Sequence, residues 1–190
     1  MRRSRSNDGL SALEREWFDS CYKRGNIAKV LSLLDENGIN INTKDKDGNT
    51  AFMVAVRKSN QQLVDILLER NIDISCRNDS GESALSIACE NCKIDIVKRV
   101  LCHIQCNESL VNFGNSEGKT PLHIACEIGN AQLVEVLLCN DNVDIDAQDN
   151  NGLTPLHILI EQNNTDLVEL LMKYGCNVNI IDNEGITANS

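Results

Sequence analysis

Short apolar runs recur along the chain, and each is too dense for a single helical face. Their apolar residues fall at positions i, i+1, i+3, i+4 and i+5, which cover more than one side of a helix. The runs are Leu63-Val64-x-Ile66-Leu67-Leu68, Leu133-Val134-x-Val136-Leu137-Leu138 and Leu167-Val168-x-Leu170-Leu171-Met172. The pattern predicts helices that are packed on two sides, with neighbouring copies of the same unit supplying the second side.

A glycine followed by a helix-starting dipeptide precedes the runs. Thr or Ser suits an N-cap, and Pro suits the next position because its missing N–H has no helical partner. Gly129 and Asn163 are suited to end such a helix because both tolerate positive φ. Each unit is therefore predicted to hold a short first helix and a longer second one. The glycines, separated by 33, 37, 34 and 33 residues, are Gly48, Gly81, Gly118, Gly152 and Gly185.

Two segments carry a specific resemblance. Gly118-Lys119-Thr120-Pro121-Leu122-His123-Ile124-Ala125-Cys126 and Gly152-Leu153-Thr154-Pro155-Leu156-His157 resemble the signature of the ankyrin repeat family. The resemblance implies an all-α fold, an ankyrin-repeat solenoid of stacked helix-turn-helix units with β-turn fingers. It also implies a structural box in which imidazole bonds to backbone and Thr, formed by Thr120, Pro121, His123, Thr154, Pro155 and His157.

The repeats divide the chain. We expect a flexible basic tail at residues 1–12 and a repeat array at 13–190. The five repeats run approximately over 14–47, 48–80, 81–117, 118–151 and 152–184, with a partial sixth at 185–190. Because the sixth unit stops early, we interpret the sequence as a fragment of a longer protein; a natural terminus that folds back over repeat five is the alternative.

Repeat three departs from the others. Cys92 stands where Gly is expected between the helices, and Arg99 replaces an apolar residue of the second helix. A non-Gly residue at positive φ is strained and a buried Arg is costly, so this repeat is predicted to be the least stable. The extra residues around 102–113 are interpreted as a surface insertion, with a hinge or contact loop as the alternative.

Composition and charge exclude several classes of function. Apolar residues make up 42% and charged residues 24%, as in folded chains. A net charge of −10 and few aromatic residues disfavour nucleic-acid binding. No apolar run approaches a membrane span of about 18 residues, so membrane insertion is not predicted. Residues 1–70 carry 12 Lys and Arg against 10 Asp and Glu, whereas residues 71–190 carry 6 against 18.

The sequence contains no pattern typical of an enzyme. It lacks a nucleophile elbow, a Walker loop, a dinucleotide fingerprint and a zinc-protease motif, so neither catalysis nor a cofactor is predicted. The odd number of cysteines, nine, and the absence of an apolar leader favour a reducing, intracellular location, cytoplasmic or nuclear. An alternative function is a zinc- or thiol-based sensor that uses Cys89, Cys92, Cys102 and Cys106.

The main hypothesis is a non-catalytic protein-interaction module, an adaptor, a scaffold or the recognition domain of a larger protein. In ankyrin families the finger tips and the ends of the first helices contact partners on the concave surface. We expect a monomer that binds a protein or extended peptide whose basic, partly apolar segment lies over repeats three to five; the alternative is that these charges are merely solvated. The positions that correspond here are Lys23, Arg24, Lys46, Asn49, Arg57, Lys58, Glu82, Glu90, Lys119, Glu127, Ile128, Leu153, Glu161 and Gln162.

Overall fold

Paired helices are the repeating element of the chain. The computed structural model describes residues 9–23, 27–36, 38–70, 72–104 and 108–188. Within them, loops carry two isolated antiparallel bridges, Lys44 with Thr50 and Ile181 with Thr187. The predicted all-α class is confirmed. The helices are α1 (Ala12–Tyr22), α2 (Ile27–Glu36), α3 (Ala51–Arg57), α4 (Gln61–Leu68), α5 (Ala84–Glu90), α6 (Ile94–Ile104), a 3-10 helix (Glu108–Asn112), α7 (Pro121–Ile128), α8 (Ala131–Leu138), α9 (Pro155–Glu161) and α10 (Thr165–Lys173).

The first helix of each inner repeat begins at the predicted cap. The side chains of Thr50, Ser83, Thr120 and Thr154 each accept a hydrogen bond from the backbone N–H three residues later. The second helices α4, α8 and α10 have caps of their own, which were not predicted. There the amide oxygen of an Asn accepts from a Leu backbone N–H, as in Asn130 to Leu133 at 3.1 Å. In these three repeats both helices are thus started by local side-chain chemistry.

The chain divides after Asp79 into two compact units. In the first unit α1 packs on α2 and α3, and α3 packs on α4. In the second, α5 packs on α6 and α7, α7 packs on α8 and α9, and α9 packs on α10. The apolar run of α8 buries Leu133, Val134, Leu137 and Leu138, as expected for a helix that is covered on more than one side. Within the described residues, no helix is long and apolar enough to cross a membrane.

The histidine of the box links one repeat to the next. The backbone N–H of Thr120 donates to His123 Nδ1 at 3.2 Å, and the Thr120 hydroxyl lies 2.8 Å from the same atom. His123 Nε2 therefore carries the ring proton and donates it to the carbonyl of Leu153 at 2.9 Å, in the finger of the following repeat. Thr154 and His157 repeat the local part of this arrangement. The His123 imidazole is thus neutral, and its role is structural.

Each finger is held by an Asx turn and by its neighbour. Asp149 Oδ1 accepts from the backbone N–H groups of Asn151 and Leu153 at 2.8 and 2.9 Å, which closes the finger of repeat five. The backbone N–H of Asn150 then donates to the carbonyl of Glu117 in the preceding finger at 2.9 Å. Equivalent finger-to-finger bonds run from Ser116 to Ser80 and from Asn183 to Asn151 in this unit, and from Asp79 to Asp47 in the first unit.

The start of the first repeat differs from its prediction. Helix α1 begins at Ala12, inside the tail expected at residues 1–12; residues 1–8 lie outside the described part of the chain. Ser11 and Glu14 explain the earlier start, because they form a capping box. The Ser11 side chain accepts from the Glu14 N–H, and the Glu14 carboxylate accepts from the Ser11 N–H.

Repeat three is less unusual than its sequence indicates. Cys92 has the expected positive φ of 51°, but Ser59 and Asn163 occupy the same conformation in other repeats. The expected burial of Arg99 is wrong, because the residue is exposed on α6. Part of the insertion forms the 3-10 helix, which buries Leu110 and Val111. Neither the conformation of Cys92 nor the position of Arg99 therefore indicates that repeat three is the least stable.

Acid is expected to weaken the fold through His123. Burial lowers the pKa of this imidazole below its ordinary 6.5, while the bond to the Leu153 carbonyl partly opposes the shift. The contribution of the neutral His123 imidazole to the free energy of unfolding is therefore complete above about pH 6.5. It is lost as the pH falls from there toward the pKa of the folded state. His123→Ala should lower the free energy of unfolding by about 2 to 4 kcal/mol at pH 7.5, because it leaves buried partners unpaired. Urea unfolding of both proteins between pH 5 and 8 measures the free energy of unfolding. A variant that kept the full pH dependence of the wild type would contradict this prediction.

Gly118→Ala tests the close approach of successive fingers. Gly118 has a φ of +79°, and an added Cβ would lie 2.7 Å from the backbone N of Asn150. We expect a loss of about 2 kcal/mol or more, since the left-handed conformation alone costs about 1 to 2 kcal/mol. Gly175→Ala is the matched control, because Gly175 has a φ of +86° and no atom within 4 Å of an added Cβ. Equal melting temperatures for the two variants would show that the finger contact contributes nothing.

Candidate functional site

Three exposed glutamates occupy one equivalent position in successive repeats of the second unit. Glu90 is the last residue of α5, Glu161 is the last residue of α9, and Glu127 is the penultimate residue of α7. We call them the acidic line. The negative end of the helix dipole disfavours a carboxylate at a helix C-terminus, where cations are stabilising. The positions are therefore poorly suited to stabilising their own helices.

A depression of about 390 Å³ connects the first two members of the acidic line. It is lined by Glu90, Glu127, Glu117 and Lys119, with Ile128 as an apolar neighbour. Ile128 is 42% exposed, which is high for a large apolar side chain. Carboxylates and an exposed apolar group thus face the same space.

Lys119 is bound inside this depression. Its Nζ lies 2.9 Å from Glu127 Oε1 and 3.1 Å from Glu117 Oε2, and only 21% of its side chain is exposed. The hydrogen bond to Glu127 contributes most to raising the pKa of Lys119, and the hydrogen bond to Glu117 raises it further. Lys119 is one of the predicted partner contacts, but its charge is already paired within the chain.

A second depression, of about 510 Å³, lies at Glu161. Its carboxylates come from Glu161, Asp182 and Glu184, and its apolar wall includes Leu153 and Ile186. Glu161 and Leu153 are among the predicted contact residues, whereas the other three were not predicted. The signal was present, because Ile186 follows Gly185 as Leu153 follows Gly152. Ile186 is 45% exposed, so an apolar group borders the carboxylates here too.

The other predicted contact residues in the second unit differ in how far they are hydrogen-bonded or buried. Gln162 Nε2 donates to the carbonyl of Glu127 at 2.8 Å and so ties the ends of two first helices together. Glu82 and Leu153 are half-buried. The backbone of Leu153 is used by Asp149 and His123, which leaves its side chain to line the second depression.

Apart from Lys119, the predicted basic residues belong to the first unit. Lys23, Lys46, Arg57 and Lys58 are exposed, and Arg24 lies outside the described residues. Lys58 Nζ lies 5.6 Å from the centroid of the Tyr22 ring. Carboxylates accompany these charges, since Lys23 lies 3.9 Å from Asp19 and the Tyr22 hydroxyl donates to Asp45 at 2.8 Å. Carboxylates therefore lie close to these basic residues.

The prediction that Asn49 contacts a partner is wrong. Only 7% of Asn49 is exposed, and its backbone N–H donates to Asp45 Oδ1 at 2.9 Å. Its side-chain oxygen accepts from Asn78 Nδ2 at 3.0 Å in the next finger. The residue is buried because it joins two fingers of the first unit.

The cysteines proposed for a sensor do not form a described metal site. Cys89 is fully buried, Cys92 is half-buried and Cys102 is exposed, while Cys106 lies outside the described residues. Among the residues that the structure covers, no group of three His, Cys, Asp or Glu is arranged to hold a metal ion. Burial raises the pKa of the Cys89 thiol, which disfavours the thiolate that a metal or a redox reaction requires.

Comparison with protein families agrees with the stacked hairpins, the capped first helices and the fingers. The family model for ankyrin repeats, in three copies, matches residues 18–110 and 102–182. The chain belongs to the ankyrin repeat family. Ankyrin repeats are in general protein-interaction modules.

Curated relatives match parts of this ankyrin repeat chain. Ankyrin repeat domain-containing protein OPG023 of Monkeypox virus is 40% identical over 96 residues, 46% of this chain and 14% of the relative. Ankyrin repeat protein 14 of Vaccinia virus (strain Western Reserve) is 41% identical over 64 residues, 33% of this chain and 27% of the relative. NAD-capped RNA hydrolase NUDT12 of Homo sapiens is 38% identical over 71 residues, 37% of this chain and 15% of the relative. The chain thus spans little more than a quarter of these relatives at most, and the last similarity does not show catalysis here.

Alkylation should separate the exposed cysteines from the buried ones. Cys102 and Cys139 are exposed, whereas burial raises the pKa of Cys21 and Cys126 to about 12. With N-ethylmaleimide at pH 7.5 we expect the buried thiols of the folded chain to react at least about a hundredfold more slowly, because the thiolate is the nucleophile. Peptide mapping by mass spectrometry measures the difference, and labelling in urea is the control. Fast labelling of Cys126 in the folded chain would contradict the burial.

Proposed function

We propose that this chain is a non-catalytic protein-interaction module whose second unit binds an extended peptide segment, basic and partly apolar, over repeats three to five. The binding surface is formed by the first-helix ends and the fingers of that unit. The observation that supports this most is the placement of Glu90, Glu127 and Glu161 at equivalent helix ends, with both depressions beside them.

Charge and apolar exposure support a basic segment with apolar neighbours. Among the residues that line the two depressions, Lys119 is the one Lys or Arg, whereas six are Asp or Glu. Complementary charge mainly determines the rate of encounter and the register of a complex, while desolvated apolar contacts slow its dissociation. Ile128, Leu153 and Ile186 are suited to the second role because they border the carboxylates.

Helix energetics also support recognition rather than stability. A carboxylate at a helix C-terminus is disfavoured by roughly 0.3 to 1 kcal/mol. In the first unit the equivalent position holds Arg57, which agrees with the dipole. Glu127 is already paired with Lys119, whereas Glu161 forms no ion pair among the described residues. The position of Glu161 is therefore more easily explained by an external cationic partner than by a contribution to the fold.

The cysteines support an intracellular location for this activity. The eight cysteines in the described part of the chain are free thiols, and Cys102 and Cys139 are exposed. Exposed free thiols suit a reducing compartment, so we infer the cytoplasm or the nucleus. The alternative sensor function has no comparable support, since the described thiols form no metal site.

Selection from a phage-displayed library of random 16-residue peptides tests the proposed partner chemistry. Peptides selected on the immobilised chain should be enriched in Lys or Arg next to aliphatic residues. Reversal of the acidic line by Glu90→Lys, Glu127→Lys and Glu161→Lys should weaken their binding by about tenfold or more and flatten its dependence on salt.

A matched triple reversal on the second-helix side provides the control. Glu135→Lys, Asp141→Lys and Glu169→Lys change the net charge equally at exposed positions away from the acidic line. This control should change binding by less than about twofold. Acidic selected peptides, or equal losses in the two triple variants with unchanged melting temperatures, would overturn the proposal.

A further inference from the structure

The surroundings of the acidic line differ between repeats four and five. In repeat four, Lys119 Nζ is paired with Glu127 at 2.9 Å and with Glu117 at 3.1 Å. Its low exposure, 21% of the side chain, shows that the aliphatic part is packed as well. The carboxylate of Glu127 therefore already has a cation beside it.

Repeat five has no such cation. Leu153 holds the position of Lys119, because each is the residue directly after the finger glycine. Within the described residues, Glu161 forms no ion pair, and Asp182 and Glu184 line the same depression. In repeat five the depression has carboxylates and apolar groups in its lining, together with uncharged polar residues such as Asn151 and Asn183, but no Lys or Arg.

We propose that Lys119 is a specificity-determining residue, a built-in cation that takes the position of a partner's Lys or Arg side chain beside Glu127. A partner's principal basic side chain is consequently directed to the depression at Glu161, where its aliphatic part contacts Leu153 and Ile186. This inference rests on the function proposed above and adds the register in which a basic segment binds.

The size of the effect follows from the exposure of the site. A single exposed ion pair changes an equilibrium by about two- to fivefold, because water and salt screen it. A partner cation that competes with Lys119 must also displace an existing hydrogen bond. Removing Lys119 should therefore strengthen cation binding at Glu127 by about that factor, and placing a lysine at position 153 should weaken it at Glu161 by a similar one.

A reciprocal exchange between the two equivalent positions tests the inference. The probe is the synthetic peptide acetyl-Gly-Leu-Arg-Leu-Gly-amide, titrated into the wild type, Lys119→Leu, Leu153→Lys and the double variant. Amide chemical shifts around Glu127 and Glu161 give a dissociation constant for each region. We expect the wild type to respond mainly around Glu161, and Lys119→Leu to gain about two- to fivefold around Glu127. The double variant should move the stronger response from repeat five to repeat four.

Lys119→Arg separates the charge from the packing of the side chain. It should keep the wild-type pattern, and melting temperatures report any general destabilisation of the variants. If neither single substitution alters the response around Glu161, or if Lys119→Arg behaves like Lys119→Leu, the proposed role of Lys119 is overturned. The proposed acidic binding surface is not affected by either result. No response at either glutamate in any variant would contradict the proposed acidic binding surface itself.

Discussion

The backbone hydrogen bond between successive fingers is the interaction on which the repeats depend. In the second unit it joins Asn150 to Glu117 at 2.9 Å, and in the first it joins Asp79 to Asp47 at 3.1 Å. The bond requires a finger glycine with positive φ, because a Cβ would collide with the neighbouring finger. Each repeat is thereby registered against the next one in its unit, and the ends of the first helices are brought into line.

The sequence was sufficient for the features that depend on local chemistry. Caps such as Thr120 and the helix starts after them follow from the Thr-Pro pairs, because capping involves atoms only three residues apart. The glycine spacing was sufficient to align the repeats, and so to predict that Glu90, Glu127 and Glu161 occupy one position. These predictions need periodicity and turn chemistry but no knowledge of packing.

Features that depend on contacts between repeats or on side-chain direction were not predictable in the same way. Asn49 is buried because Asn78, in the next finger, bonds to it. Lys119 reaches Glu127 across a distance that sequence spacing does not define. Arg99 was expected to be buried because apolar residues such as Val136 and Leu170 hold its position in other repeats, but those residues are only half-buried and Arg99 is exposed. Part of the wall of the depression at Glu161, Ile186, comes from a residue after the last complete repeat.

In the second unit the side chains of Asn150 and Asn183 donate to the preceding finger at 2.9 and 3.0 Å, but at other tips main-chain atoms make the attachment. Glu117, for example, accepts the bond from Asn150 through its carbonyl, while its carboxylate contacts Lys119. A substitution at such a tip changes the chemistry offered to the outside and leaves the geometry of attachment in place. Scaffolds of this kind can acquire new specificities during evolution by surface substitutions alone, with no search for a new architecture.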